Sequence, residues 1–304
     1  MSKVEDLQRE INRLAYTTFK QRCKGSSGTM ERLKDFSIPL IPRITQKYLD
    51  YGLVILGQET STWYGKGWYE NEDKNHPLYK LYKEFNLYDF INAQESDVER
   101  ICQVCRYDRH VDYIFNTKEG SRKGGLWGYS RKISREVLGE PAFCLLELFC
   151  IETVKYNNGQ PSPKQEDQPS QKEELAKEVI EMQGDLMYQI LELIKPKAIL
   201  ATTNHKNDDF LKQYALGDPD AKNIAVDKSG LFSIDEIAFM EIGQRALKGT
   251  KVIRTYHPNY FYGSNYNKGP RKVIEDKKRE PYQKLISESL AHCLWPKSSA
   301  TDSQ

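Results

Sequence analysis

A short apolar run is the feature that most constrains the fold of this chain. Residues 53–56 read Leu-Val-Ile-Leu, contain no polar side chain and are ended by Gly57. Such a run is typical of a parallel strand that is buried on both faces. Open α/β sheets bind ligands just beyond the carboxyl ends of their strands, so Glu59 is the first candidate for a functional site. The alternative is that Thr60 or Ser61 caps a following helix.

Length and composition restrict the class of protein. The chain has 304 residues, of which 38% are apolar, and this is enough for a sizeable core. No run approaches the ~18 apolar residues of a membrane helix, and the charged residues 1–7 lack the apolar stretch of a signal peptide. We therefore expect a cytoplasmic protein with no membrane partner. The net charge of +2 neither requires nor excludes nucleic acid, so local clusters of charge have to decide.

Cysteine usage gives little indication of a metal site. Six cysteines are scattered along the sequence, and only Cys102 and Cys105 have the spacing of a ligand pair. Both fall in a segment, 98–115, whose apolar spacing is that of a helix. We expect reduced thiols, and neither a metal nor an organic cofactor.

Apolar periodicity predicts an alternation of helices and strands. Steps of three and four residues predict amphipathic helices at 3–23, 98–115, 282–293 and from 175 to just before 196. Strands are predicted at 53–56, 198–202, 237–242 and 251–255, while the run 143–154 fits either a buried strand or a buried helix. This order predicts a three-layer α/β/α fold with a central, mainly parallel sheet. We expect one domain over 1–296, a mobile insertion at about 157–171 and a polar tail at 297–304.

A basic segment at 118–135 is the clearest local cluster of charge. Its lysines and arginines are interleaved with glycine and aromatic residues, which lets a backbone and rings approach a phosphodiester chain. The alternative is a solvated loop, but such a loop has little need of Trp127. The segment therefore predicts a nucleic-acid contact that includes Arg122, Lys123 and Trp127.

A carboxylate near the end of the apolar run 143–154 is the next candidate site residue. Glu152 follows six large apolar side chains, and burying its charge there is costly unless it has a partner or a function. Aromatic residues also follow Glu59 at high density, beginning with Trp63 and Tyr64. Such residues usually fill a core, although beside a site they can stack on a base.

Two short motifs, one after the first strand and one after the last, resemble a known family when they are taken together. Gly57, Gln58 and Glu59 follow the first strand, and His257 and Pro258 follow the last. The pair resembles the motifs of the uracil-DNA glycosylase superfamily, which read Gly-Gln-Asp-Pro-Tyr-His and His-Pro-Ser in its best-known branch. The resemblance covers the architecture and the identity of a handful of residues.

The resemblance implies base excision from DNA, in which a nucleotide leaves the stack and its base is cut from the deoxyribose. It implies that His257 stabilises the departing base and that Glu59, with a water, meets the oxocarbenium-like sugar. Gln58 would contact the base. A minor-groove wedge is implied in the aromatic loop of Tyr260, Phe261 and Tyr262.

Two departures from the family pattern bear on the substrate. Ser61 stands where the best-known branch has a tyrosine that excludes substituents from carbon five of the pyrimidine. Glu152 is the nearest match to the asparagine that reads uracil, and a carboxylate accepts a hydrogen bond from the exocyclic amine of cytosine. The two departures together predict a five-substituted cytosine, as in the phage-defence branch of the superfamily.

Two further functions remain open at this point. Glu59 replaces the aspartate of the motif and moves the carboxylate outward by about one methylene, so the chain can instead be a module that binds a base without cutting it. A hydrolase of small nucleotides is the third possibility. The basic segment 118–135 argues against it, because a small substrate does not need an extended basic loop.

Overall fold

The chain folds around a six-stranded, mostly parallel sheet. The computed structural model describes residues 2–24, 31–59, 86–105, 115, 125–153, 156–157, 160–161, 169, 172–243, 247–258 and 276–295. The sheet consists of β1 (Leu53–Glu59), β2 (Cys144–Phe149), β5 (Ala198–Ala201), β6 (Lys222–Ala225), β7 (Ile237–Glu241) and β8 (Lys251–Thr255). A separate two-stranded hairpin is formed by β3 (Tyr156–Asn157) and β4 (Gln160–Pro161).

The strand order is β2-β1-β5-β8-β7-β6. The first four of these strands are mutually parallel, while β7 runs antiparallel to β8 and β6 antiparallel to β7. The chain leaves β1 toward β2 and then crosses back to β5 on the other side, so the order reverses between β1 and β5. This reversal is where open α/β sheets form their ligand crevice.

Helices cover both faces of the sheet, as predicted. The α-helices of six residues or more are α1 (Lys3–Lys24), α2 (Gln46–Tyr51), α3 (Leu87–Asn92), α4 (Val98–Cys105), α5 (Gly125–Leu138), α6 (Glu173–Gln183), α7 (Leu186–Ile194) and α8 (Asp276–Leu294). One core joins α1, α3, α4, α6 and α7 to one face of the sheet, and a second core joins α5 and α8 to the other. Alternate residues of the strands point into the two cores, for example Val54 into the first and Ile55 into the second.

Three local expectations are corrected by the structure. Gly57 does not end the first strand, because β1 continues through it to Glu59. Residues 125–135 of the predicted basic loop lie on helix α5 instead, where apolar Leu126, Tyr129 and Ile133 at helical spacing bind the segment to the second core. The single helix predicted before residue 196 is two helices, since Gly184, with φ of 56°, separates α6 from α7. A side chain at Gly184 would also overlap the guanidinium of Arg22.

Other expectations are confirmed or remain outside the described residues. Helix α1 matches the predicted 3–23 almost to the residue, and the ambiguous run 143–154 contains a strand, β2. Strand β6 was not predicted because its side chains are mostly exposed and carry no apolar pattern. Most of the insertion 157–171 and the tail 297–304 lie outside the described residues. In the part of the chain that the structure describes, no helix is long and apolar enough to cross a membrane.

A buried arginine ties the last strand to the turn that follows β5. Arg254 of β8 has no solvent exposure, and its Nε lies 3.1 Å from Oδ1 of Asp208. Its Nη1 and Nη2 donate to the backbone oxygens of Asp235 and Ile234, both at 2.6 Å. Asn223 of β6 donates to the other carboxylate oxygen of Asp208 at 2.7 Å. Burial raises the pKa of Asp208, although Arg254 and Asn223 act in the opposite direction.

We predict that Arg254→Met destabilises the fold by about 3–5 kcal/mol, because it leaves two carbonyl oxygens without their donor and the Asp208 carboxylate with Asn223 as its remaining partner. Urea unfolding measures the change. Lys284→Met is the matched control, since its ion pair with Glu288 is exposed and its loss should change stability by less than about 0.5 kcal/mol. A loss below about 1 kcal/mol for Arg254→Met would contradict the assigned role.

Candidate functional site

The register of three parallel strands sets the candidate residues along one edge of the sheet. Leu56 pairs with Ala201, and Ala201 pairs with Arg254, so these residues stand side by side on β1, β5 and β8. Three residues beyond them are Glu59, the last residue of β1, and Asn204 and His257, which follow the ends of β5 and β8. Neighbouring strands lie about 4.8 Å apart, so β1 and β8 are separated by about 10 Å where they flank β5.

Asn204 links the ends of the three strands. Its Nδ2 donates to Oε1 of Gln58 at 2.8 Å, and its backbone nitrogen donates to the oxygen of Thr255 at 3.0 Å. Its φ of 55° with ψ of 166° is unusual for a residue with a side chain, and the buried bond to Gln58 helps to offset that strain. Within the described residues, the Nε2 of Gln58 donates to no protein acceptor. This amide group is therefore suited to donate to a ligand at the edge.

His257 stands two residues beyond β8 and keeps part of its surface exposed. Burial of the remainder lowers its pKa from 6.5 to about 4, because desolvation disfavours the charged imidazolium. His257 is therefore a neutral imidazole at physiological pH. Such a group can donate one hydrogen bond and accept another without carrying charge.

Two polar groups in the turn after β5 were not selected from the sequence. Thr203 is fully buried, and its Oγ1 has no hydrogen-bond partner among the described residues; the same is true of the buried Nδ1 of His205. The His205 ring meets that of Tyr256 edge to face, with centroids 6.0 Å apart. The run Thr-Thr-Asn-His after a predicted strand is the sequence signal that could have identified this turn. It places a second imidazole on the edge that carries His257.

A second buried carboxylate lies beside the glycine of the first motif. Glu147 pairs with Gly57 in the β1–β2 register and is only 4% exposed. A side chain at Gly57 would overlap the carboxylate of Glu147 and the methyl group of Leu126. The glycine is thus required by close packing of Glu147 across β1. In the sequence, Glu147 only interrupts an apolar run, so its contact with Gly57 could not be predicted.

Glu152 lies beyond the end of β2 and is 1% exposed. Its backbone is held by Ser37, which donates from its nitrogen to the Glu152 oxygen at 2.8 Å and accepts from the Glu152 nitrogen at 3.1 Å through its hydroxyl. In the register, Phe149 pairs with Glu59, so Glu152 lies three residues further along the strand direction than Glu59. The structure therefore places two buried carboxylates on the β2 side of the edge.

Trp127 occupies a different environment from the one expected of a residue that stacks on a base. It is half-buried on α5, packs against the second core and lines a narrow cavity with Phe115 and Phe143. A tryptophan at this position of an amphipathic helix contributes mainly to packing. The prediction that Trp127 lies in an open, basic loop is therefore wrong, because this residue is part of helix α5.

The other predicted site residues lie outside the described residues. They are Ser61, Tyr64, Arg122, Lys123, Tyr260, Phe261 and Tyr262. For Glu59 the structure describes the strand position but not the side chain. No cluster of three metal-ligating side chains is found among the residues that are described.

We predict that Gln58 and Asn204 are energetically coupled. Gln58→Ala and Asn204→Ala each leave a buried polar partner unsatisfied, so the double mutant should be less destabilised than the sum by about 0.5–1.5 kcal/mol. Urea unfolding of the four proteins measures the coupling. The exposed pair of Gln46 and Asp50, joined at 2.8 Å, is the control and should show less than about 0.5 kcal/mol. Strict additivity at Gln58 and Asn204 would contradict the bridge.

We predict a pH dependence of stability that originates at His257. In the unfolded chain its pKa is about 6.5, and in the folded chain about 4. Between these values only the unfolded state binds the proton, so the free energy of unfolding decreases as the pH falls from about 6.5 to 4. Urea unfolding of His257→Gln should show a shallower decrease over this interval. Equal slopes in the two proteins would contradict a neutral, buried His257.

A scan against models of known protein families found no match to this chain, and a search of curated proteins found none either. The residues and the geometry of the edge therefore carry the functional argument.

Proposed function

We propose that this chain is a monofunctional DNA glycosylase of the uracil-DNA glycosylase type, which extrudes a base and cuts its bond to deoxyribose. The observation that carries the proposal is that Glu59 ends β1 and His257 follows β8, the two strands that flank β5 and the Asn204 beyond it. Alternate strands of a sheet lie roughly 10 Å apart, so side chains that follow their ends can contact two sides of one ligand. The base would therefore lie between an acid and a neutral imidazole.

His257 and Glu59 would stabilise opposite charges that develop in the same reaction. As the glycosidic bond breaks, its electron pair moves to the base, and His257 donates a hydrogen bond to the developing anion. The sugar becomes an oxocarbenium-like cation, which the Glu59 carboxylate stabilises. A water positioned by Glu59 adds its hydroxyl group to the sugar carbon, and its proton passes to Glu59 and then to the departing base. No lysine is assigned as a nucleophile, so the product is an abasic site.

A neutral His257 suits this task better than a charged one. The pKa near 4 means that the imidazole keeps its donor at physiological pH without the cost of burying a charge. Gln58 adds an amide donor, with its oxygen already held by Asn204. One face of the base would thus meet donors that are positioned before the substrate binds, which is the arrangement that favours a developing negative charge.

Buried carboxylates on the β2 side support a cytosine-derived substrate. The exocyclic amine of cytosine donates a hydrogen bond, and an ionised carboxylate can only accept. Glu152 was selected from the sequence, and Glu147, which packs across Gly57, is closer to the Gln58 motif along the register. Ser61, in place of a bulky tyrosine, would leave room for a substituent at carbon five. We therefore propose a C5-modified cytosine, excised in defence against phage, as the substrate.

A binding module is the second candidate function, and the identity of Glu59 favours it. The longer side chain moves the carboxylate by about one methylene from the place an aspartate would hold it, and misplacement of this size can cost about 10²-fold in rate. The module would flip and hold the modified base through Gln58, Asn204 and His257 without cutting it.

Excision assays on matched duplexes test the proposed function. The DNAs carry uracil, cytosine, hydroxymethylcytosine or glucosylated hydroxymethylcytosine, and alkali converts abasic sites into strand breaks. We expect breaks in at least one modified-cytosine DNA. Breaks only in uracil DNA would contradict the substrate, and specific binding without any breaks would favour the binding module.

Glu59→Gln should reduce excision by at least about 10²-fold while leaving DNA affinity within a factor of about two, because the carboxylate acts on the transition state rather than on binding. Single-turnover rates and equilibrium binding separate the two quantities. The matched control is Glu288→Gln on the exposed face of α8, which should leave both unchanged. A Glu59→Gln protein with the full rate would remove Glu59 from the mechanism.

A further inference from the structure

A cleft of about 620 Å³ runs along helix α1, on the face of the sheet opposite α5 and α8. One wall is the outer side of α1, and the other is the segment 95–99 that leads into α4. The α1 wall carries four basic side chains, namely Arg9, Arg13, Lys20 and Lys24. We refer to these four residues as the α1 basic stripe.

The stripe is straight and long. Successive residues of an α-helix turn by 100°, so positions 9, 13, 20 and 24 fall within about 60° of one another around the axis. At 1.5 Å per residue the stripe extends about 22 Å along α1. One strand of duplex DNA carries a charge every 3.4 Å of helix axis, so about six phosphates span the same length.

Three members of the stripe have no protein partner. Arg9, Arg13 and Lys24 form no hydrogen bond or ion pair with the chain as far as the structure describes it, whereas Arg32, Lys177 and Lys284 elsewhere on the surface all pair with carboxylates. Unpaired cations on one line create a positive potential that would attract a polyanion.

The middle of the stripe is held in position. Lys20 donates to the hydroxyl of Tyr16 at 2.8 Å and lies 4.7 Å above the centre of its ring. Tyr16 in turn donates to the backbone oxygen of Ala93 at 2.8 Å. On the opposite wall Glu99 accepts a hydrogen bond from Asn12 at 2.7 Å, which keeps that carboxylate at the base of the cleft. The cation at position 20 is thus positioned before any partner binds.

We propose that the α1 basic stripe binds the phosphodiester backbone of a nucleic acid, at a segment other than the one whose base enters the site. This inference rests on the proposed function for the choice of DNA as the partner. A nucleic acid fits better than an acidic protein, because stable protein interfaces need exposed apolar anchors and this cleft offers only Val98, with Tyr16 buried. The cations stand at intervals of about 6, 10.5 and 6 Å along α1, within the length over which one DNA strand offers a phosphate every 3.4 Å of helix axis.

The test compares salt dependence of binding to a duplex of ordinary bases. In Arg9→Ala/Arg13→Ala/Lys24→Ala, the slope of log affinity against log salt concentration should become shallower by about 2–3, since each lost phosphate contact removes about 0.9. The control Lys177→Ala/Lys228→Ala/Lys284→Ala loses the same charge elsewhere and should keep the wild-type slope. The conservative Arg9→Lys/Arg13→Lys/Lys24→Arg should also keep it. All replaced residues are exposed, and urea unfolding checks that each variant folds.

The outcomes separate this inference from the proposed function. A slope unchanged in the first variant, a slope reduced equally in the control, or no salt-dependent DNA binding by the wild type would overturn the stripe as a phosphate contact. Displacement of DNA by polyglutamate at equal charge concentration would assign the stripe to an acidic protein and overturn it too. Loss of slope in a protein that excises no base would support the stripe while the glycosylase proposal fails.

Discussion

The common register of β1, β5 and β8 is the constraint on which the candidate site depends. Leu56, Ala201 and Arg254 stand side by side in the ladder, and Glu59, Asn204 and His257 follow them at the carboxyl edge. A slip of one residue in either pairing would turn side chains to the other face and separate the ends of the strands. Both faces of these strands are packed in cores, so a slip would exchange side chains of different size between the two cores and disrupt the packing of each.

Buried polar contacts then determine how the turn after β5 is held. Asn204 fastens the start of the turn to β1 and β8, and Asp208 fastens its end through Arg254. The ion pair of Asp208 and Arg254 is costly to desolvate, so it contributes more to specifying one geometry than to net stability. His205 lies between the two fastening points and is carried to the edge beside Tyr256.

The packing at Gly57 gives a physical reason for a glycine in the first motif. The Glu147 carboxylate occupies the space that a side chain at position 57 would need. A buried carboxylate therefore lies on β2, one strand away from Gln58 and on the side of β1 opposite β5. The same close approach that excludes a larger residue thus keeps an acceptor beside the first motif.

Local patterns were sufficient to predict the buried strands and most helices, and to place Glu59 and His257 close to the carboxyl ends of two strands, because apolar periodicity is a property of neighbouring residues. Local patterns did not predict that Trp127 lies on the amphipathic helix α5 and packs against the second core. They also did not predict that Gly184, with its positive φ, divides one apparent helix into two. Asn204 contacts Gln58, and Glu147 contacts Gly57, because the fold brings together residues that are 146 and 90 positions apart in the chain. The sequence alone therefore determined which segments form the buried strands, and the tertiary structure decided where β1 ends and which residues meet, since strand order and register are set by long-range packing.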